Sequence, residues 1–169
     1  WDDYSNGNSY IYMYDLTTNQ ERKITTSDAS SGFAIYGDRI AYSDRNIIYL
    51  YDLTTNTKKQ ITKDEGGMAR NIKFDKDIIV FIEWRYLNKW LMDTIRLYDL
   101  SREEEKIIKS SSGNDIIGIN IDGNTIVWNE FTKNNLVNIY SHDISTNTET
   151  QISNLDITDL TGLYPNDKI

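Results

Sequence analysis

Apolar and polar residues alternate along most of this chain, in short stretches that polar residues separate. In one of them Ile48 and Leu50 alternate with Tyr49 and Tyr51, and the stretch ends at Asp52 ahead of a polar segment. A period of two is typical of β-strands, and intervening Gly, Asn, Asp and Ser residues favour tight turns. No stretch has the apolar spacing of a convincing helix. The pattern therefore predicts an all-β protein made of short antiparallel hairpins.

One of these hairpins recurs four times. Its copies read IYMYDLTTNQERKIT from Ile11, IIYLYDLTTNTKKQIT from Ile47, TIRLYDLSREEEKIIK from Thr94 and NIYSHDISTNTETQIS from Asn138. In every copy an isoleucine follows the aspartate nine positions later, and these aspartates are Asp15, Asp52, Asp99 and Asp143. Fixed spacing predicts a hairpin of constant geometry, whose two strands we name C and D. We expect the aspartates to brace the C–D turn, because Asp side chains readily accept hydrogen bonds from nearby backbone N–H groups.

A second hairpin, of strands A and B, precedes the later copies and is seen in GFAIYGDRIAYSD, NIKFDKDIIVFIE and IGINIDGNTIVWNE. The strand B aromatics are Trp1, Tyr42, Phe81 and Trp128. Four antiparallel strands that repeat every 40 to 50 residues or so are the sequence signature of a β-propeller blade. The predicted repeats cover residues 1–31, 32–69, 70–114 and 115–159, and residues 160–169 start the next blade. The chain is then either part of a larger propeller, which we favour, or a four-bladed ring whose termini meet in one blade.

Composition excludes several classes of partner. The 169 residues carry a net charge of -8 and no cysteine. An acidic protein lacks the basic face that binds a phosphate backbone, so we expect no nucleic-acid partner. No apolar run is long enough to cross a membrane as a helix, so we expect no membrane span in this chain. Without cysteine there is no disulfide framework or thiolate metal site.

The first two repeats resemble the tandem β-propeller repeat of cell-surface and surface-layer proteins of methanogenic archaea. That repeat has an aromatic-x-Asp, a Gly/Asn loop, Ile-Tyr-x-Tyr-Asp-Leu-Ser/Thr-Thr and a closing Ile-Thr, and WDDYSNGNSYIYMYDLTTNQERKIT matches it throughout. The third and fourth repeats depart from it, with Arg96 and His142 in place of tyrosines. The repeat thus resembles the TolB-like/YVTN-like propeller superfamily, and Tyr-Asp-Leu segments also occur in the periplasmic TolB-like propellers and in those of prolyl-oligopeptidase-type enzymes. The resemblance implies an extracellular, cell-surface or envelope scaffold, and it implies no catalytic residue.

Carboxylate side chains recur at fixed positions of the repeat, and a single histidine takes the place of one repeated tyrosine. An acid stands two positions after each strand B aromatic, and these acids are Asp3, Asp44, Glu83 and Glu130. They either bind a cation such as Ca²⁺, above all in the segment DDYSNGN, or accept hydrogen bonds from loop N–H groups, which we favour. His142 is interpreted as a strand residue in a tyrosine position, because a lone histidine builds no multi-histidine metal site. We expect no other cofactor.

The third B–C connection, WRYLNKWLMDT, differs most from the other copies. It carries Trp84, Arg85, Tyr86 and Trp90, and aromatic residues and Arg are common anchors of binding interfaces. These four residues form the predicted contact face for a protein or a glycan. The alternative is that strands B and C extend as a longer hairpin around Asn88 and pack these side chains against a neighbouring blade.

The favoured function is a non-enzymatic surface scaffold that binds a protein or glycan or assembles a surface layer by self-association. The alternative function is the propeller domain of a hydrolase, a peptidase or a glycan-active enzyme, whose catalytic residues lie elsewhere. No Gly-x-Ser-x-Gly or Gly-rich phosphate loop occurs, so the sequence predicts no catalytic or nucleotide site in these residues.

Overall fold

The computed structural model describes residues 2–5, 8–25, 32–44, 46–63, 66–87, 90–113, 115–131 and 136–156. The description covers the backbone but not the side chains of residues 2–5, 8, 87, 90, 112, 136 and 154–156. Across these ranges the chain forms fifteen β-strands and no helix. The prediction of an all-β protein is therefore confirmed. A search of the same ranges finds no helix long and apolar enough to span a membrane.

The strands form four antiparallel sheets in chain order, which we name blades 1 to 4. Blade 1 contains β1 (Asp2–Ser5), β2 (Asn8–Asp15) and β3 (Gln20–Lys23). Blade 2 contains β4 (Phe33–Tyr36), β5 (Arg39–Asp44), β6 (Ile47–Asp52) and β7 (Thr57–Gln60). Blade 3 contains β8 (Met68–Asp75), β9 (Ile78–Leu87), β10 (Trp90–Asp99) and β11 (Glu104–Ser112). Blade 4 contains β12 (Asp115–Asp122), β13 (Thr125–Phe131), β14 (Leu136–Asp143) and β15 (Thr148–Asp156).

Blades 2 to 4 have the predicted strands A, B, C and D in order, and the described part of blade 1 has strands B, C and D. The segment predicted to supply a further strand A, residues 160–169, lies outside the described residues. β1 and β2 pair up to Ser5 and Asn8, so the segment in which we considered a calcium loop is largely a hairpin.

Blades 2 and 3 each contribute both faces of their sheet to packing between blades, because successive side chains of a strand point to opposite faces. In blade 2, Tyr42 clusters with Ile11 of blade 1, whereas Ala41 and Ile48 cluster with Ile79 of blade 3. We name the face toward the preceding blade the leading face and the opposite one the trailing face.

Three apolar clusters hold consecutive blades together. Blades 3 and 4 share the cluster that contains Trp128, in which Ile95 and Ile126 are fully buried. Complete burial of an isoleucine side chain contributes about 1.5–3 kcal/mol to stability. The β-branched residues that gave the alternating pattern in the sequence are therefore the main source of blade-to-blade adhesion.

The strand C aspartates brace the C–D turns, as predicted. Asp52 Oδ1 accepts hydrogen bonds from the backbone N–H groups of Thr54 and Thr55, at 2.9 and 2.8 Å. Hydrogen bonds from the turn residues lower the pKa of the carboxyl group in all four copies. Backbone N–H groups are the main cause for Asp15 and Asp52, and the hydroxyls of Ser101 and Ser145 are the main cause for Asp99 and Asp143. The last residue of each turn has a φ between 54° and 58°, and these residues are Asn19, Asn56, Glu103 and Asn147.

Strand D ends in two different ways. In blades 1 and 2 a threonine hydroxyl closes the strand, since Thr25 and Thr62 each accept the N–H of a strand C isoleucine at 2.9 Å. In blades 3 and 4 a lysine and a serine, Lys109 and Ser153, take that place in the repeat. There the ladder continues beyond a β-bulge, so β11 and β15 are longer than β3 and β7.

Candidate functional site

The third B–C connection is an extended hairpin. β9 and β10 pair without a break as far as Leu87 and Trp90. The flanking strands stop earlier, because β8 begins opposite Trp84 and β11 ends opposite Met92. The structure thus has the longer hairpin that we considered as the alternative, and its outer part is a two-stranded ribbon that extends beyond the four-stranded sheet.

Exposed apolar side chains gather on one face of this ribbon. Trp84 and Tyr86 are in edge contact, with ring centroids 6.1 Å apart and an interplanar angle of 65°. Tyr86 is 71% exposed, and Leu91 lies opposite it on β10 and is 37% exposed. Met68, opposite Trp84 on β8, is 42% exposed. We name Met68, Trp84, Tyr86 and Leu91 the ribbon patch.

The four predicted contact residues do not all lie together. Trp84 and Tyr86 belong to the ribbon patch, whereas Arg85 lies on the opposite face of β9. The Arg85 guanidinium donates to both carboxylate oxygens of Glu83 at 2.6 Å, so its charge is neutralised within the blade. The Trp90 side chain lies outside the described residues. Met68 was missed from the sequence, because its place beside Trp84 follows from the pairing of β8 with β9.

A buried aspartate anchors the base of the ribbon to blade 4. Asp93 is 3% exposed, and its Oδ2 accepts the backbone N–H of Ile116 at 2.7 Å. Arg70 donates to the same oxygen at 3.0 Å. Burial raises the pKa of Asp93, and the Ile116 N–H and Arg70 act in the opposite direction. The sequence has no signal for this contact, since it joins three strands of two blades.

The three strand B acids whose side chains are described, Asp44, Glu83 and Glu130, lie close to cationic side chains of the same protein. Lys58 Nζ lies 3.3 Å from Asp44 and 3.6 Å from the ring centre of Tyr49. In blade 3, Arg96 Nε lies 2.8 Å from Glu83 Oε2. The arginine that replaces a tyrosine in this repeat therefore forms an ion pair with the strand B acid. Strand side chains are therefore partners of these acids, and the expected hydrogen bonds from loop N–H groups stay a prediction.

In blade 4, Glu130 accepts the indole N–H of Trp128 at 3.0 Å and lies 3.9 Å from Lys109. The fourth acid of this series is Asp3, whose side chain lies outside the described residues. Among the side chains that the structure describes, no group of three or more His, Cys, Asp or Glu could hold a metal ion.

His142 lies in β14 at the interface between blades 3 and 4, as a strand residue in a tyrosine position. It is 5% exposed, and neither ring nitrogen has a hydrogen-bond partner among the described residues. Burial is the main cause that lowers its pKa, and nearby Lys106 acts in the same direction. A buried neutral imidazole without an orienting partner is a poor general base.

No family model matches the sequence, and no curated protein matches it. Solved structures do match. The chain superimposes on TolB from Acinetobacter baumannii with a TM-score of 0.67 and 21% identity, covering 92% of this chain and 41% of that one. It also matches the β-propeller domain of the Trilobed protease from Pyrococcus furiosus, with a TM-score of 0.58, 17% identity and coverage of 86% and 48%. The fold is a β-propeller fold.

A third match is dipeptidyl peptidase 4 from Porphyromonas gingivalis, with a TM-score of 0.69 and 12% identity over 90% of this chain and 30% of that chain. The propeller described here spans less than half the length of each of these three chains. At these identities the likeness shows the fold alone. It is consistent with a partial propeller, as the repeat pattern favoured.

Proposed function

We propose that this propeller is a non-enzymatic binding scaffold of an extracellular or envelope protein, and that it contacts a protein or glycan through the ribbon patch. The observation that carries the proposal is the 71% exposure of Tyr86 on a ribbon whose base is held to the next blade by the Asp93–Ile116 hydrogen bond. Large exposed aromatics are costly to leave in water, and they are enriched among residues that dominate binding energy. A rigid support reduces the entropy lost on binding.

The test begins with a photoreactive phenylalanine derivative at Tyr86 in the native host. The matched control carries the same group at Ile107, an exposed residue of β11 that is 53% accessible and lies outside the ribbon patch. We expect an adduct with one partner at Tyr86 and none at Ile107. Equal adducts at the two sites, or none at either, would contradict the proposal.

The affinity of alanine variants for the captured partner then tests how much these aromatic side chains contribute to the binding free energy. Alanine at Trp84, Tyr86 and Trp90 should weaken binding at least about tenfold, since buried aromatic anchors are worth roughly 2 kcal/mol or more each. The control I35A/I107A removes two other exposed side chains, 57% and 53% accessible, and should leave affinity unchanged.

The location of the protein is tested separately, by labelling intact cells with a membrane-impermeant amine reagent, which should modify this protein and no cytosolic marker.

A second function has a specific observation in its favour, because two of the similar structures are a dipeptidyl peptidase and a protease. The propeller would then be the accessory domain of a hydrolase whose catalytic residues lie outside these 169 residues. An active-site-directed serine hydrolase probe distinguishes the two functions. Labelling of the native polypeptide that contains this propeller favours the hydrolase, and absence of labelling on a folded sample favours the scaffold.

A further inference from the structure

A polar contact repeats at the outer rim of every interface between described blades. A basic residue of strand D reaches the last residue of the C–D turn in the next blade. Arg22 Nη1 donates to Asn56 Oδ1 at 2.5 Å, and Lys59 Nζ donates to Glu103 Oε1 at 2.5 Å. Lys106 donates to Asn147 in the third interface. We name this the rim contact, formed by a strand D donor and a turn acceptor.

Blade 1 contains the turn acceptor of a further rim contact. Asn19 occupies the same turn position as Asn56, with φ values of 54° and 58°. Both amides also accept the hydroxyl of the strand C tyrosine, at 3.3 Å from Tyr14 and 3.4 Å from Tyr51. Asn56 has a basic donor from another blade, whereas within the described residues Tyr14 is the hydrogen-bond partner of Asn19. The acceptor is therefore formed and oriented, and no donor from another of the described blades lies beside it.

The apolar part of the same face is also built like an interface. The residue after each strand C aspartate packs against the preceding blade in blades 2 to 4, and these residues are Leu53, Leu100 and Ile144. In blade 1 this residue is Leu16, which is 87% exposed. Tyr14 is 44% exposed, whereas Tyr98 at the same position of blade 3 is 8% exposed. Blade 1 thus presents the apolar side chains of a leading face to water.

We propose that the leading face of blade 1, formed by Tyr14, Leu16 and Asn19, binds the trailing face of another blade that carries an arginine or lysine as strand D donor. Aliphatic side chains of that blade would cover Leu16 and Tyr14, as those of blades 1 to 3 cover the equivalent residues. Its basic side chain would donate to Asn19, as Arg22 does to Asn56. The inference concerns a different surface from the ribbon patch and does not depend on it.

Blade 4 of a second copy fits only the apolar half of this description. Its trailing face is open, since Ile152 is 58% exposed while Ile24 and Ile61 at the same position are 8% and 9% exposed. The strand D donor position, however, holds Thr150, and β15 has no basic residue. A threonine hydroxyl is too short to replace Arg22 or Lys59, so we expect self-association through these two faces to be weak.

This difference gives a gain-of-function test in the chain itself. T150R supplies the missing donor, and T150E is the matched control of opposite charge. Head-to-tail association, measured by sedimentation equilibrium, should be at least about fivefold tighter for T150R than for T150E, because a hydrogen bond to a charged group contributes on the order of 1 kcal/mol or more. N19G, which tolerates the positive φ but lacks the amide acceptor, should abolish the gain.

The apolar half is tested by L16N, which changes a side chain that is 87% exposed and therefore should not affect folding. Combined with T150R it should weaken association again, and unchanged circular dichroism would confirm that every variant is folded. Three results would overturn the inference: T150R associates no more than T150E, N19G leaves the gain intact, or the unmodified chain associates as tightly as T150R.

Discussion

At the scale of single residues, the C–D turn shows how the repeat tolerates exceptions. The aspartate is present in all four turns, but the left-handed last position holds asparagine in three copies and Glu103 in the fourth. Asparagine adopts positive φ more readily than glutamate, whose Cβ and longer side chain have no local compensation. Glu103 keeps a role as turn acceptor, because Lys59 donates to it. The residue thus combines a favourable contact with an unfavourable backbone conformation.

Replacing Glu103 by asparagine should stabilise the protein by about 0.5–1 kcal/mol. The amide can still accept from Lys59, as Asn56 and Asn147 accept from their donors, while the left-handed conformation becomes less costly. Urea unfolding measures the change. E104N, which removes the same charge from the first residue of β11, is the control and should bring no gain. A midpoint for E103N at or below that of the parent would count against this reading of the turn.

His142 should make the protein less stable in mild acid. Burial lowers the pKa of His142 in the folded protein, whereas in the unfolded chain the pKa is about 6.5. Below about pH 6.5 the imidazole is therefore protonated more readily in the unfolded chain than in the folded protein. Stability is therefore lost as the pH falls below that value, until the folded-state pKa is reached. Lys106 lies nearby and disfavours the charged ring further, whereas Glu149 and Asp143 act in the opposite direction.

H142Y restores the residue of the other repeats and removes this titration. Thermal unfolding at pH 5 and pH 7.5 should show a smaller difference for H142Y than for the parent. Asp93 titrates in both proteins, so its contribution cancels in the comparison. An identical pH dependence of the two proteins would mean that His142 is protonated as easily in the folded state as in the unfolded chain.

At the scale of elements, one side chain decides where a strand ends. A threonine after the strand D isoleucine satisfies a strand C N–H with its hydroxyl, and the ladder stops there. Where lysine or serine stands instead, the backbone continues past a bulge and the strand is longer. Strand length in this propeller therefore follows from whether a side chain or the backbone satisfies that donor.

T62V tests this role directly. Valine keeps the shape of threonine but leaves the buried N–H of Ile48 without its acceptor, which costs about 1–3 kcal/mol. T150V, at an exposed position of β15, is the matched control and should change stability by less than about 0.5 kcal/mol. Equal unfolding midpoints for the two variants would show that water or a backbone carbonyl replaces the hydroxyl.

Strands and turns could be predicted from the sequence because their causes are local. Alternation, the Asp turn and the spacing between repeats each depend on residues close together in the chain. The ribbon patch depends on register, which places Met68 beside Trp84. The Asp93 contact depends on how two blades approach each other, and it brings Ile116 against a carboxylate 23 residues away. Neither the register of β8 with β9 nor the approach of the two blades produces a periodic pattern or a motif in a single sequence.

At the scale of the whole molecule, adhesion between blades is uneven. Among the described residues, the interface of blades 3 and 4 buries a large aliphatic and aromatic cluster around Trp128. In the same part of the chain, the cluster between blades 1 and 2 has fewer buried members, Ile11, Ile24, Ile40 and Tyr42. Because the apolar area buried sets most of the stabilisation, the two ends of the array should differ in local stability.

Native-state hydrogen exchange should detect this difference. Amides of β2 should exchange faster than those of β10, although both are C strands with hydrogen-bonded neighbours on each side. Mass spectrometry after pepsin digestion resolves the two strands. Uniform protection of β2 and β10 would instead mean that the four blades open as one cooperative unit.

The rim contact uses the same two positions at every interface, and this has a consequence for how such a chain can change its number of blades. If recombination removed blade 2 as a whole repeat, Arg22 would face Glu103, and if it removed blade 3, Lys59 would face Asn147. Each new pair would again consist of a basic hydrogen-bond donor and a turn acceptor. Copy number can therefore change by whole repeats while the junction keeps a basic hydrogen-bond donor opposite a turn acceptor.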